Sequence, residues 1–226
     1  MSLVLYHHPL ASFAWKVLIA LHENGTPFDS RIVDYGDPDS RAEFFALAPL
    51  GKIPVLRDAA RDRTLPETSI IVEYLAQNWP GPVALLPADP DEALEVRLWD
   101  RIFDLYVNVP MQKIVGDRLR ADGQGDPAGV EEARATLRSA YAAIEAGLDS
   151  RQWAAGAAFT MADCAAAPAL FYAGIVEPFA AEHAALAGYF ERLVARPSVA
   201  RTIAEARPYF RFFPMRDAMP ARFRDG

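Results

Sequence analysis

Four prolines fall within the twelve residues from Trp79 to Pro90, and they divide the chain into two parts of different grain. Proline has no amide hydrogen to donate and fixes φ, so neither a helix nor a central strand runs through such a segment. Residues 81–90 therefore read as a linker between a unit of residues 1–80 and a second of residues 91–226. In the first unit, Leu3-Val-Leu-Tyr6, Ile32-Val33 and Ile53-Pro-Val-Leu56 are short β-rich runs bounded by Gly, Pro or Asp. Between the first two runs, Phe13, Val17 and Leu21 share one helical face with Ala14 and Leu18 beside them, and Gly25-Thr-Pro27 ends that helix. Strand, helix, strand calls for a parallel pair with a helical crossover. The charged stretch Arg57 to Arg63 reads as a hairpin turn, and Glu67-Thr68 opens a helix carrying Ile70, Ile71, Tyr74, Leu75 and Trp79.

Beyond the linker nearly everything has the helical period. Leu94, Leu98, Ile102, Leu105 and Val109 make one stripe, flanked by Trp99, Phe103 and Tyr106, and Pro110 is expected to kink or end that helix. Val130, Ala133, Leu137, Ala140, Ile144 and Leu148 make a second stripe, and Leu186, Tyr189, Phe190 and Leu193 a third. From Gln152 to Val176 the only charge is Asp163, which raises the question of a membrane span. Thr160-Met-Ala-Asp163 answers it as a capping box that starts a buried core helix in the middle of the run. The tail from Arg207, with five arginines, two aspartates and several aromatics, reads as a loosely ordered extension.

Composition removes further classes. A chain of 226 residues buries roughly 70% of its unfolded surface, so a core forms without staples. An apolar share of 52% argues against disorder, and a net charge of −7 argues against binding nucleic acid by neutralising phosphates. One cysteine, Cys164, can form neither an intrachain disulfide nor a thiolate zinc cluster, which favours a reducing compartment, and with no carboxylate–histidine spacing of metal type no metal is expected. With no signal-like segment at its start, the chain reads as a cytoplasmic protein without membrane attachment.

The densest chemical signal is Gly51-Lys-Ile-Pro-Val-Leu56 followed by Pro66-Glu-Thr-Ser69. A proline inside a β-run withholds a ladder hydrogen bond. With a cis bond before it, the Ile53 amide and carbonyl face outwards and pair with an extended peptide. Glu67, Thr68 and Ser69 lie at a helix N-terminus, where free amides and the dipole attract a carboxylate, and an acid beside a hydroxyl suits an amine next to that carboxylate. A small peptide with an amino-acid head fits this pattern; an edge-strand break at Pro54 with Thr68 as a plain N-cap fits it as well.

Residues 3 to 24, Gly51-Lys-Ile-Pro-Val-Leu56, Pro66-Glu-Thr-Ser-Ile-Ile-Val-Glu-Tyr-Leu75 and Phe159-Thr-Met-Ala-Asp163 together resemble the cytosolic glutathione transferases, in order and spacing over nearly the whole chain. They are similar to that family's first strand and helix, cis-proline strand, γ-glutamyl-binding helix and helical-domain capping box. The resemblance implies an α/β thioredoxin-like N-terminal domain plus an all-α C-terminal helical domain lining a hydrophobic substrate pocket. Glutathione is the implied co-substrate and a homodimer the implied assembly. Ile53 would pair its backbone with the cysteinyl part, and Glu67 and Thr68 would hold the γ-glutamyl amine and carboxylate. Lys52, with Arg41 as a further candidate, would lie near the glycyl carboxylate. Phe13, Tyr106 and Met111 are candidates for the apolar pocket, and Asp100 or Asp104 for reaching across to a neighbouring subunit's site.

The thiol of glutathione needs its pKa lowered before it attacks. Ser12 is the only hydroxyl in the first turn and is the candidate catalytic residue, although the family's usual serine position is occupied by Ala11. Tyr6, backbone amides of the first turn and a role for Ser12 as a plain helix cap remain alternatives. The first turn has no cysteine, so a redox mechanism through the protein's own thiol is disfavoured, and Cys164 reads as a small buried hydrophobe. His7 and His8 read as loop residues near the site entrance. The expected activity is glutathione transfer to an apolar electrophile, in detoxification. The alternatives are a maleylacetoacetate-type isomerase and a non-catalytic binder of glutathione or other ligands.

Overall fold

In a computed structural model, residues 2–148 and 151–225 are described. The N-terminal part runs β1 (Leu3–His7), α1 (Ser12–Glu23), β2 (Asp29–Ile32), α2 (Pro38–Leu47), β3 (Val55–Asp58), β4 (Arg63–Leu65) and α3 (Thr68–Asn78). The sheet order is β2-β1-β3-β4, with β1 and β2 parallel and both other pairings antiparallel. This is the thioredoxin-like arrangement. Alternation along β1 buries Leu3, Leu5 and His7 on one face, and Leu5 sits opposite Ser30 on one side and Leu56 on the other. His7 is therefore the last residue of a strand and not part of a loop.

The helical part comprises α4 (Pro90–Ile102), a π-helical segment (Phe103–Asn108), α5 (Val109–Asp117), α6 (Pro127–Gly147), α7 (Met161–Val176), α8 (Ala184–Ala195) and α9 (Pro197–Ala206). Two short 3₁₀ turns and α10 (Ala221–Arg224) follow. Helix α7 is the hub, buried at every position but Gly174. The capping box holds its start: the Asp163 carboxylate accepts from the Thr160 amide at 2.8 Å, from the Ala154 amide at 2.9 Å and from the Tyr189 hydroxyl at 2.6 Å. Helix α1 packs against both α3 and α7, which explains why Ser12 and the whole run Ala14–Leu21 are buried. Among the described residues, no helix is long and apolar enough to cross a membrane.

Two expectations are corrected. The stripe Leu94, Leu98, Leu105 and Val109 is exposed, while the core side of the same helix carries Val96, Trp99, Phe103 and Val107. That helix is apolar on two faces, and its π-helical segment adds a residue to the turn, so periodicity alone picked the wrong face. The tail is packed, not loose: Phe210, Phe213, Met219 and Phe223 are buried, and Phe210 stacks on Phe171 with ring centroids 5.9 Å apart. Burial of these aromatic rings is worth more than the ordering costs of so short a segment.

Candidate active site

Two cavities open on either side of the N-terminus of α1, and Ala11, Tyr35, Ile53 and Gln112 belong to both. The first, of about 600 Å³, has Lys52, Ile53, Glu67, Thr68, Arg101 and Asp104 in its walls. Its shape depends on local backbone. The Ile53–Pro54 peptide is cis. Gly51 has φ of +60°, which glycine adopts without steric cost, and the absence of a side chain lets the Phe45 ring lie close against it. Glu67 is the N-cap of α3 and holds φ of 69° without being glycine, a conformation that persists only where surroundings enforce it. Thr68 is thus the first residue of α3 and not its cap, and it is buried at the start of the helix where free amides gather.

The second cavity, of about 620 Å³, is mostly apolar, with Leu10, Val33, Met111, Leu119, Phe212 and Phe213 among its walls. It draws on the first strand's end, on α5 and on the C-terminal tail, so it exists only once the two parts of the chain are packed together. His8 lines it, and burial holds the imidazole pKa below its ordinary value, so the ring is neutral.

Ser12 reaches this junction, but α1 starts with Ala11 as its cap, which offers no side-chain hydrogen bond. The Ser12 hydroxyl donates to Asn108 Oδ1 at 2.8 Å and accepts from Gln112 Nε2 at 3.2 Å. One turn further along α1, Lys16 is fully buried. Its ammonium lies 2.5 Å from Asp100, 2.8 Å from Asp104 and 2.9 Å from the Ser69 hydroxyl. Arg101 touches Asp100 at 2.7 Å and also contacts Asp104 and Ser69. Burial is the largest influence on Asp104 and pushes its carboxyl up, against the pull of Lys16. Ser12 and Lys16 on α1 thus face Asn108 and Asp104 on the π-helical segment in two rungs one turn apart.

The sequence-level candidates divide accordingly. Lys52, Ile53, Glu67 and Thr68 come together in one cavity, joined by Phe13 rather than by a purely apolar wall, and Met111 lies in the other. Tyr106 lies in neither and is exposed, because the helix turns its other side to the core, whereas the neighbouring Leu105, also exposed, borders the first cavity. Arg41 is exposed on α2, and Tyr6 packs beside Phe44; neither lines a cavity. Asp100 and Asp104 are buried against this chain's own Lys16, which leaves them no reach towards a neighbouring subunit. Lys16, Arg101, Asn108 and Gln112 were missed. A signal for Asn108 and Gln112 exists: with Asp100 and Asp104 they recur every four residues, a polar stripe along a largely apolar stretch.

A thioredoxin-like domain with a peptide-sized polar cleft, set against a helical domain that completes an apolar cavity, defines a class of glutathione-binding proteins. Family models for the N-terminal and C-terminal domains of glutathione S-transferase match residues 11–78 and 85–197. FtsZ-localized protein A of Caulobacter vibrioides is 35% identical over 72% of this chain and 73% of its own length. A glutathione S-transferase of Pseudomonas putida is 32% identical over 71% of this chain and 70% of its own. The structure of FzlA from C. crescentus, 29% identical, aligns with a TM-score of 0.80 over 100% of this chain and 99% of that one. A glutathione transferase from Phanerochaete chrysosporium solved with oxidized glutathione has the same fold at 21% identity, with a TM-score of 0.83 over 93% of this chain and 97% of that one. The chain belongs to the glutathione S-transferase family.

Proposed function

We propose that the protein is a cytoplasmic glutathione transferase that holds the tripeptide in the polar cleft and presents its thiolate to an apolar electrophile in the adjoining cavity. The single observation that carries this reading is the meeting of the two cavities at the first turn of α1. In it, the Ile53 backbone pairs with the cysteinyl residue, Glu67 and Thr68 take the γ-glutamyl amine and carboxylate, and Lys52 faces the glycyl carboxylate. The sulfur then lies over the N-terminus of α1, where backbone amides and the helix dipole favour the charged form. Ser12 adds its hydroxyl by turning from Asn108 to the sulfur. Residues 1–80 supply the glutathione side, 81–90 the linker and 91–226 much of the apolar cavity. The exposed row Leu94, Leu98, Leu105, Tyr106 and Val109, with Ile70 of α3 also exposed, supports a homodimer through this face.

Calorimetry with glutathione at millimolar concentration tests binding, and an absence of heat overturns the reading. For Ser12, the thiol pKa of bound glutathione is read from thiolate absorbance against pH. The Ser12→Ala variant is expected to raise it by about one unit, a loss of about 1.4 kcal/mol of thiolate stabilisation. An unchanged pKa removes Ser12 and leaves the first-turn amides as the activating groups. The commitment of the Ser12 proton to Asn108 also favours a second reading, a non-catalytic glutathione binder. Intact glutathione affinity with a negligible rate on a broad electrophile panel selects it.

A further inference from the structure

Arg101 lies on the last turn of α4, and its guanidinium crosses from the helical part of the chain to the start of α3. One edge of it is used within the chain. Nε and Nη2 both donate to Asp100, at 3.1 and 2.7 Å, and Nη2 also contacts Asp104 and the Ser69 hydroxyl. Nη1, with its two N–H groups, makes no hydrogen bond among the described residues. The side chain is 45% exposed and forms part of the wall of the polar cleft together with Glu67 and Thr68. The contact with Ser69 fixes where the guanidinium sits, because Ser69 follows Thr68 in the first turn of α3, the end at which free amides gather. Asp100 and Asp104 are matched by Lys16 and Arg101, so the cluster carries no surplus acid to repel an incoming carboxylate. The Glu67 carboxylate and the Thr68 hydroxyl likewise have no hydrogen-bond partner among the described residues. One wall of the cleft thus offers a free carboxylate, a free hydroxyl and a free pair of guanidinium donors. That set is the complement of an amino group and a carboxylate on one carbon.

We propose that Arg101 is a specificity-determining residue of this cleft: its Nη1 donates to the α-carboxylate of the γ-glutamyl residue, beside the Thr68 hydroxyl, while Glu67 holds the amine. The inference rests on the glutathione transferase reading and deepens it, since it names what selects the head of the peptide. The cleft then requires a free α-amino-acid head, and the helical part of the same chain supplies the cation that reads it. Arginine suits the task because its planar fork meets a carboxylate in a fixed geometry, which a lysine ammonium does not. Pairing of the opposite edge with Asp100 holds that plane still before any ligand arrives. A donor already fixed loses little freedom on binding, so more of each hydrogen bond appears as affinity.

The test compares glutathione with γ-aminobutyryl-cysteinylglycine, which replaces the α-carboxylate by hydrogen and keeps the amine, the thiol and the glycyl carboxylate. By calorimetry, wild-type protein is expected to prefer glutathione by about 30-fold, a preference shared among Arg101, Thr68 and the α3 amides. In Arg101→Gln the preference falls to about threefold, because affinity for glutathione drops while affinity for the decarboxylated peptide holds. In Arg101→Lys, which keeps the charge and loses the fork, it settles at about tenfold. A purely structural role, exerted through Asp100 and Asp104, weakens both peptides alike and leaves the preference where it was. Should Arg101→Gln fail to fold, Arg101→Lys decides the matter by the same ratio. A preference that the variants leave unchanged, or that wild-type protein lacks, overturns the role of Arg101 while the transferase reading stands. If wild-type protein binds neither peptide, the transferase reading fails and Arg101 with it.

Discussion

Replacing Lys16 by methionine is the sharpest test of how the two parts of the chain are held at the site. Methionine keeps most of the volume and removes the charge from a fully buried position. At an effective dielectric of about 20, each of the contacts at 2.5 and 2.8 Å to Asp100 and Asp104 is worth about 6 kcal/mol of attraction, most of it offset by desolvation. Removing one partner of such a group leaves buried charge uncompensated, typically at about 3–5 kcal/mol. Arg101 still touches both carboxylates, so the lower end, about 3 kcal/mol, is expected. Urea unfolding followed by tryptophan fluorescence reads this as a lower midpoint at unchanged slope. The deficit also depends on pH. Burial already raises the Asp104 carboxyl, and loss of Lys16 raises it further. A carboxyl with a raised folded-state pKa binds its proton more tightly when folded, so the stability it lends is full below the ordinary aspartate pKa and is lost as pH rises. The deficit of Lys16→Met therefore widens from pH 5 to pH 8, and adding Asp104→Asn recovers part of it. A loss below about 1 kcal/mol, or one equal at both pH values, would refute this account of the cluster.

Burial lowers the His7 pKa from 6.5 to about 4, so the folded protein binds fewer protons there than the unfolded chain, and stability falls as pH drops from 6.5 towards 4. The His7→Gln variant should flatten that part of the stability–pH curve by up to about 3 kcal/mol; an unchanged slope in equilibrium unfolding counts against it. Asp163→Ala strips acceptors from Thr160, Ala154 and Tyr189 at the start of α7, and is expected to cost about 3 kcal/mol or more by thermal unfolding. Leu98→Glu on the exposed row should convert a dimer into a monomer in sedimentation, and a dimer that persists at micromolar protein concentration removes that face from the assembly.

By itself the sequence determined what is encoded locally. The short β-runs, the proline barrier after Trp79 and the Thr160–Asp163 capping box depend on backbone sterics and on neighbours a few residues away, so they could be read directly. The same locality made Ile53, Glu67 and Thr68 legible as one cluster, while Lys52 joined it only through the resemblance to the family. Tertiary structure alone decided which face of the α4 helix is inside, because a helix apolar on two sides carries no local mark of where its partner lies. For that reason Tyr106 points away from the site while the polar stripe of Asp100, Asp104 and Asn108 turns inward onto Ser12 and Lys16. The tail was unreadable on the same ground: its arginines suggest a solvated extension, and its phenylalanines find a surface only after α7 is in place.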